Sequence, residues 1–128
     1  MHSQTGSGRL ALGLQAILGM DGFVALCQEL GGTRLYIPWT MRDGSDVVEA
    51  VGRELADKLS RAMAPATIRV PLARRERALY WREKGLSDSR IARKLGMTEN
   101  GVAKLFKRED DLPERPGRGK EAAQLTLI

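Results

Sequence analysis

The chain has 128 residues and a mass of 14.1 kDa, with 42% hydrophobic and 29% charged residues; this is the composition of one folded domain or two very small ones, not of a disordered chain. One cysteine, Cys27, and one histidine, His2, exclude an intrachain disulfide and argue against a Cys/His metal site or a histidine-assisted nucleophile. No run of 18 or more apolar residues occurs, and no charged start leads into an apolar block with a small-residue cleavage site. Neither a transmembrane helix nor a secretory signal is therefore expected.

The net charge of +5 is unevenly spread. Residues 1–71 carry seven basic and seven acidic side chains, residues 72–108 eleven and four, and residues 109–128 three and five. A net +7 confined to residues 72–108 points to a polyanion, and nucleic acid is the commonest one. The alternative is a solvated basic face on ordinary helices.

In chain order, residues 1–9 have no apolar period and are expected to be a flexible lead. Gly6, Ser7 and Gly8 do not make a nucleotide loop, because no strand precedes them and no Lys-Ser/Thr follows. Leu10, Leu14, Ile17 and Leu18 recur at one-face helical spacing up to Gly19. After Asp21, Phe23, Leu26, Cys27 and Leu30 repeat it in a second helix. Cys27 falls on that apolar stripe, which predicts a buried small hydrophobe and not a reactive thiol. Gly31 and Gly32 stop the helix. Arg34-Leu35-Tyr36-Ile37 alternates and closes at Pro38, a short strand. Ser45 caps a third helix, with Val48, Val51, Leu55 and Leu59 as its stripe, ending near Met63 and Pro65. Thr67-Ile68-Arg69-Val70-Pro71 is a second short alternating run. A strand this short needs a ladder partner; the two runs can pair within one chain, or each with its copy across a dimer axis. A basic helix follows over 72–84, with Leu72, Ala73, Leu79 and Tyr80 on one face and Trp81 off it. From residue 109 on, acidic residues, prolines and glycines predict a flexible acidic tail.

Residues 86–108 carry the main signal. Ser87 caps a helix of about eight residues, Ala92 is the small residue where two crossed helices touch, and Gly96 provides a left-handed turn. Thr98 then caps a second helix. Ile91, Leu95, Met97, Val102 and Leu105 are expected to plug the interior against the 72–84 helix. This is helix-turn-helix spacing. It leaves Thr98, Glu99, Asn100, Ala103, Lys104, Lys107 and Arg108 facing outward. Asn100 suits an adenine edge, Glu99 a cytosine amino group, and Lys104 guanine or phosphate. Arg90, Arg93 and Lys94 are expected phosphate contacts. Gly101, inside the second helix, fits either close approach of DNA to the backbone or simple tolerance.

The stretch VALCQELGGTRLYIP (24–38), followed by a helix-turn-helix, resembles the Mor transcription activator family of phage middle-operon regulators and related C activators. The segment that carries the resemblance is Gly31, Gly32, Tyr36, Ile37 and Pro38; overall it covers residues 10–38 and 68–108. The resemblance implies an intertwined homodimer with short strands paired between chains, so that Gly31, Gly32, Leu35, Tyr36, Ile37, Ile68 and Val70 lie at the dimer interface. It also implies promoter binding and activation through bacterial RNA polymerase. In one respect the chain departs from the family, where the strand leads almost directly into the first helix of the DNA-binding domain. Here about 33 residues separate Pro38 from Pro71.

The expected protein is thus mainly α. A helical dimerisation region with one or two short β-strands (10–71) precedes a helix-turn-helix (72–108) and the tail (109–128). Its expected function is that of a dimeric, sequence-specific DNA-binding transcriptional regulator, an activator of phage or prophage origin, acting in the cytoplasm of a bacterial host. The alternative is a DNA-binding adaptor in phage replication or assembly that has no sequence preference. The terminal Gln124-Leu125-Thr126-Leu127-Ile128 resembles peptides that dock on the bacterial sliding clamp, but folding of Leu125, Leu127 and Ile128 onto the chain's own core is the favoured expectation. Double-stranded DNA is the expected partner. No cofactor, metal, membrane or enzymatic activity is expected, since the chain lacks a phosphate loop and a paired-carboxylate pocket.

Overall fold

A computed structural model describes the backbone of residues 3–110 and the side chains of residues 8–107. Over these residues the chain is mainly helical, with one small two-stranded antiparallel sheet. It divides into two compact units between Arg77 and Ala78.

The first unit opens with α1 (Ser3–Leu30), whose helical run is broken at Gly19 (φ 74, ψ 168). The two expected helices are thus the two segments of α1. Leu14 and Leu18 turn inward from the first, and Phe23, Val24, Leu26 and Cys27 from the second. The flexible lead expected over residues 1–9 is corrected from Ser3 onward, where the backbone is already helical. Extending a helix that packing has nucleated is far cheaper than starting one, so a stretch without apolar period can still be helical. The lack of an 18-residue apolar run also needs qualifying. Gly8–Leu30, 23 residues, is long and apolar enough to cross a membrane by length and composition. Leu14, Leu18, Phe23, Val24 and Leu26 of this segment nevertheless lie in the chain's own core, while Leu12 and Met20 are exposed.

Past Gly31 and Gly32, β1 (Arg34–Ile37) runs to Pro38. The expected third helix is two: α2 (Asp46–Val51), capped by the Ser45 side chain, and α3 (Arg53–Met63). The break is at Gly52 (φ 92), a conformation L side chains rarely adopt. Arg53 secures the turn by donating to the Met41 carbonyl at 2.7 Å and to Asp43 at 3.0 Å. Ser60 donates to the Pro38 carbonyl at 2.8 Å, tying α3 to the end of β1.

Next, β2 (Ala66–Arg69) pairs antiparallel with β1: Arg34 opposite Arg69, Leu35 opposite Ile68, Tyr36 opposite Thr67, Ile37 opposite Ala66. Val70 N donates to Thr33 O, and Gly32 N to Val70 O, extending the ladder. The two runs thus satisfy each other within one chain. Of the residues expected at a dimer interface, Ile37 and Val70 are 0% exposed inside the chain itself. Leu35, Ile68 and Gly31 are half-buried, whereas Gly32 and Tyr36 are exposed.

The basic helix is α4 (Arg74–Glu83). Arg77 belongs to the first unit and is buried there, donating from Nε to the Leu72 carbonyl at 2.9 Å and from Nη1 to Gln28 Oε1 at 2.7 Å. Burial lowers its pKa, with Cys27 acting against the shift and Arg74 adding to it. Burial likewise pushes the Cys27 thiol up to about 11, with Arg77 opposing and Glu76 adding.

Candidate functional site

The second unit is built from the end of α4, α5 (Asp88–Leu95) and α6 (Glu99–Asp110). Its interior differs in part from the expected plug set. Ile91, Ala92 and Val102 are buried as expected, and Leu95, Met97 and Leu105 are half-buried. The two aromatic members were missed: Trp81 and Phe106 are each 7% exposed. Leu72, expected on the inner face of the basic helix, is exposed. The inward face of α4 runs through Ala78 and Trp81. Phe106 stands four residues beyond Val102, a helical repeat the sequence does contain.

The chain turns between α5 and α6 through local hydrogen bonds that the sequence specifies. Ser87 Oγ accepts from Arg90 N at 3.2 Å, satisfying one free donor at the start of α5. Gly96 sits at φ 69, ψ 35, donating to Ala92 O and Arg93 O. Met97 N donates to Ala92 O at 2.9 Å. The pair of bonds is a Schellman stop, which requires a left-handed residue and hence favours glycine. Arg93 and Lys94 occupy the last turn of α5, where cations complement the helix dipole. Thr98 Oγ1 then accepts from Gly101 N at 3.0 Å and starts α6.

Gly101 has a local explanation. A Cβ there would lie 2.9 Å from Met97 Cε and 3.3 Å from Thr98 Oγ1. The glycine leaves room for the half-buried Met97 and for the capping hydroxyl, two contacts the sequence pattern alone does not show.

Thr98, Glu99, Asn100, Ala103, Lys104 and Lys107 are all exposed, as are Arg90, Arg93 and Lys94 on α5. The side chain of Arg108 lies outside the described residues, as do His2, Gln124–Ile128 and nearly all of the acidic tail. Val102 and Phe106 point the other way, so α6 has one polar face and one buried face. Three cations in this unit lie over aromatic rings: Arg82 at 4.2 Å from the Phe106 centroid, Lys84 at 5.1 Å from Tyr80, and Lys94 at 5.3 Å from Trp81. Such stacking limits where the charge can roam while leaving it able to meet an anion. Arg82 and Lys84 were not among the expected site residues: the Phe106 ring beneath Arg82 comes from another helix and is invisible in linear sequence, whereas Tyr80 beneath Lys84 stands only four residues earlier.

Among the described residues, no group of three or more His, Cys, Asp or Glu could hold a metal ion. A cavity of about 500 Å3 in the first unit is lined by Glu29, Leu30, Asp46, Glu49 and Ala50. No family model matches the chain, and neither the curated proteins nor the solved structures contain a match.

Proposed function

We propose that the chain is a dimeric, sequence-specific DNA-binding regulator of transcription, with α5, the Gly96 turn and α6 acting as a helix-turn-helix. The N-terminal half of α6 enters the major groove. There Asn100 pairs with an adenine edge, Glu99 accepts from a cytosine amino group, and Lys104 reaches guanine or phosphate. Arg90, Arg93, Lys94, Lys107 and Arg108 contact phosphates, with Thr98 and Ala103 lining the approach.

The observation that carries this reading is the two-faced character of α6. Val102 is 0% exposed and Phe106 7%, while Asn100, Ala103, Lys104 and Lys107 form one exposed row. A solvated face is common to every surface helix of a bundle; what sets this row apart is its chemistry, an amide and two ammonium groups at one-face spacing. The row also falls in the segment with net +7, which raises its attraction for a polyanion.

One recognition helix offers few base contacts, and a two-fold pair doubles them; hence the proposed dimer. The resemblance of residues 24–38 to the Mor family extends the proposal to an activator of phage or prophage origin that contacts bacterial RNA polymerase in the host cytoplasm. The strand ladder, closed within one chain, moves the dimer contact of this proposal off Ile37 and Val70.

Selection of duplexes from a random pool, with solution mass at micromolar concentration, tests the proposal. A dimer that selects an inverted repeat supports it, and Asn100→Ala then weakens binding to the selected site by about 1–3 kcal/mol. A monomer, or an unchanged affinity for the Asn100 variant, overturns the dimer or the recognition-helix assignment respectively. Equal affinity for all duplexes, with steep salt dependence, identifies an adaptor without sequence preference instead.

A further inference from the structure

We propose that the outer face of the β1–β2 ribbon is a second contact surface for the phosphate backbone of duplex DNA, distinct from α6. The inference rests on the DNA-binding function proposed above and concerns the first unit alone.

The ribbon register places Arg34 directly opposite Arg69, both exposed. Like charges directly opposite each other destabilise a sheet, yet neither arginine forms an ion pair among the described residues. Among the described residues Arg69 makes one long hydrogen bond, 3.4 Å, from Nη1 to the Gly32 carbonyl. Two exposed arginines facing each other across the ladder, with no carboxylate paired to either among the described residues, suit an anion from outside.

The surroundings agree. Two residues along, on the same face as Arg34, Tyr36 is 58% exposed opposite the exposed Thr67. Just past the strand, Trp39 is 73% exposed. Residues 33–42 and 60–75 together contain Arg34, Arg42, Arg61, Arg69, Arg74 and Arg75 and no Asp or Glu. The zero net charge of residues 1–71 therefore conceals a segregation: their seven carboxylates all lie elsewhere in the chain. Arginine suits phosphate because its planar fork matches two oxygens at once, and a two-stranded ribbon is narrow enough to enter a DNA groove. A membrane surface fits less well. The outer face offers no aliphatic side chain to insert, since Leu35, Ile37 and Ile68 belong to the inner face.

The test uses the full chain, the duplex it selects, and a scrambled duplex of equal length, titrated across a range of salt. Arg34→Ala/Arg69→Ala is expected to keep or slightly raise its thermal transition, since it removes the like-charge pair. It should weaken binding to both duplexes alike and lower the slope of log K against log salt by about 2, roughly one per lost phosphate contact. Asn100→Ala, by contrast, changes the preference between the duplexes. The change in tryptophan emission on adding duplex is expected to be smaller in Trp39→Phe, where only the buried Trp81 remains. If the chain binds duplex but the double variant matches it in affinity and slope, the ribbon surface is overturned and the α6 reading stands. If the unaltered chain binds neither duplex, both fall. Should the double variant instead lose adsorption to vesicles containing anionic lipid with its DNA slope intact, the surface serves a membrane and the inference is overturned. Arg34→Gln/Arg69→Gln replaces the alanine pair if the latter fails to fold.

Discussion

Gly101→Ala sets two effects of similar size against each other. Replacing glycine by alanine in a helix interior is worth about 1 kcal/mol through backbone entropy. Opposing it, the new methyl would sit 2.9 Å from Met97 Cε and 3.3 Å from Thr98 Oγ1. The first clash is with the far end of a flexible side chain, and a rotamer change relieves it at a cost of about 0.5–1 kcal/mol. The second needs the capping hydroxyl to give by a few tenths of an ångström while it still accepts from Gly101 N. Before the hydroxyl's adjustment the net is a gain of between roughly 0 and 0.5 kcal/mol, so the variant is expected within about 0.5 kcal/mol of the original, or about 2–4 °C at most. Thermal unfolding followed by circular dichroism reads this directly. A loss above about 1 kcal/mol, the size of the propensity term itself, would refute the reasoning, because Met97 would then have nowhere to move. DNA affinity supplies a separate arm. If the glycine serves the Met97 and Thr98 contacts, the variant binds the selected duplex as the original does; an affinity lost at unchanged stability would assign Gly101 to backbone approach by DNA.

Other outcomes follow from the first unit. Gly31→Ala is expected to cost several kcal/mol, because the added methyl would collide with the Cys27 carbonyl and press on the Pro71 carbonyl at 3.1 Å and Leu72 Cα at 3.3 Å; backbone on every side leaves nothing to rotate. A denaturant midpoint close to that of the unaltered chain would contradict it. The Cys27 thiol, raised from 9.0 to about 11 by burial, ionises first in the unfolded chain. Its contribution is therefore whole below pH 9, is lost between pH 9 and about 11, and amounts to roughly 3 kcal/mol. Urea unfolding of the chain and of Cys27→Ala across that window should give curves that converge as pH rises; parallel curves would mean the thiol is solvated when folded.

Legibility differed between features for physical reasons. The Ser87, Gly96 and Thr98 signals were correct to the residue because each acts through hydrogen bonds within four or five positions of itself. The helix break at Gly52 was missed because the apolar stripe from Val48 through Leu59 continues across it, and periodicity does not register a change of axis. Trp81 escaped because which face of α4 is buried depends on how the helices of its unit cross, a quantity no single helix encodes; Phe106, four residues beyond Val102, lay on a repeat the sequence does contain. The exposed row of the candidate site was legible as the complement of the buried one, whereas the cations above aromatic rings were not.

What local chemistry determined by itself was the capped ends at Ser45, Ser87, Gly96 and Thr98, that the chain is mainly helical, and where positive charge accumulates. Each depends on neighbours within a turn or two, or on simple counting. Tertiary structure alone decided that Arg34-Leu35-Tyr36-Ile37 pairs with Ala66-Thr67-Ile68-Arg69, a contact across some thirty residues. Two short alternating runs satisfy their backbone groups equally well against each other or against a second copy. Only the burial of Ile37 and Val70 inside the chain, with α3 packed against β1, selects the pairing within one chain, and that pairing sets Arg34 opposite Arg69.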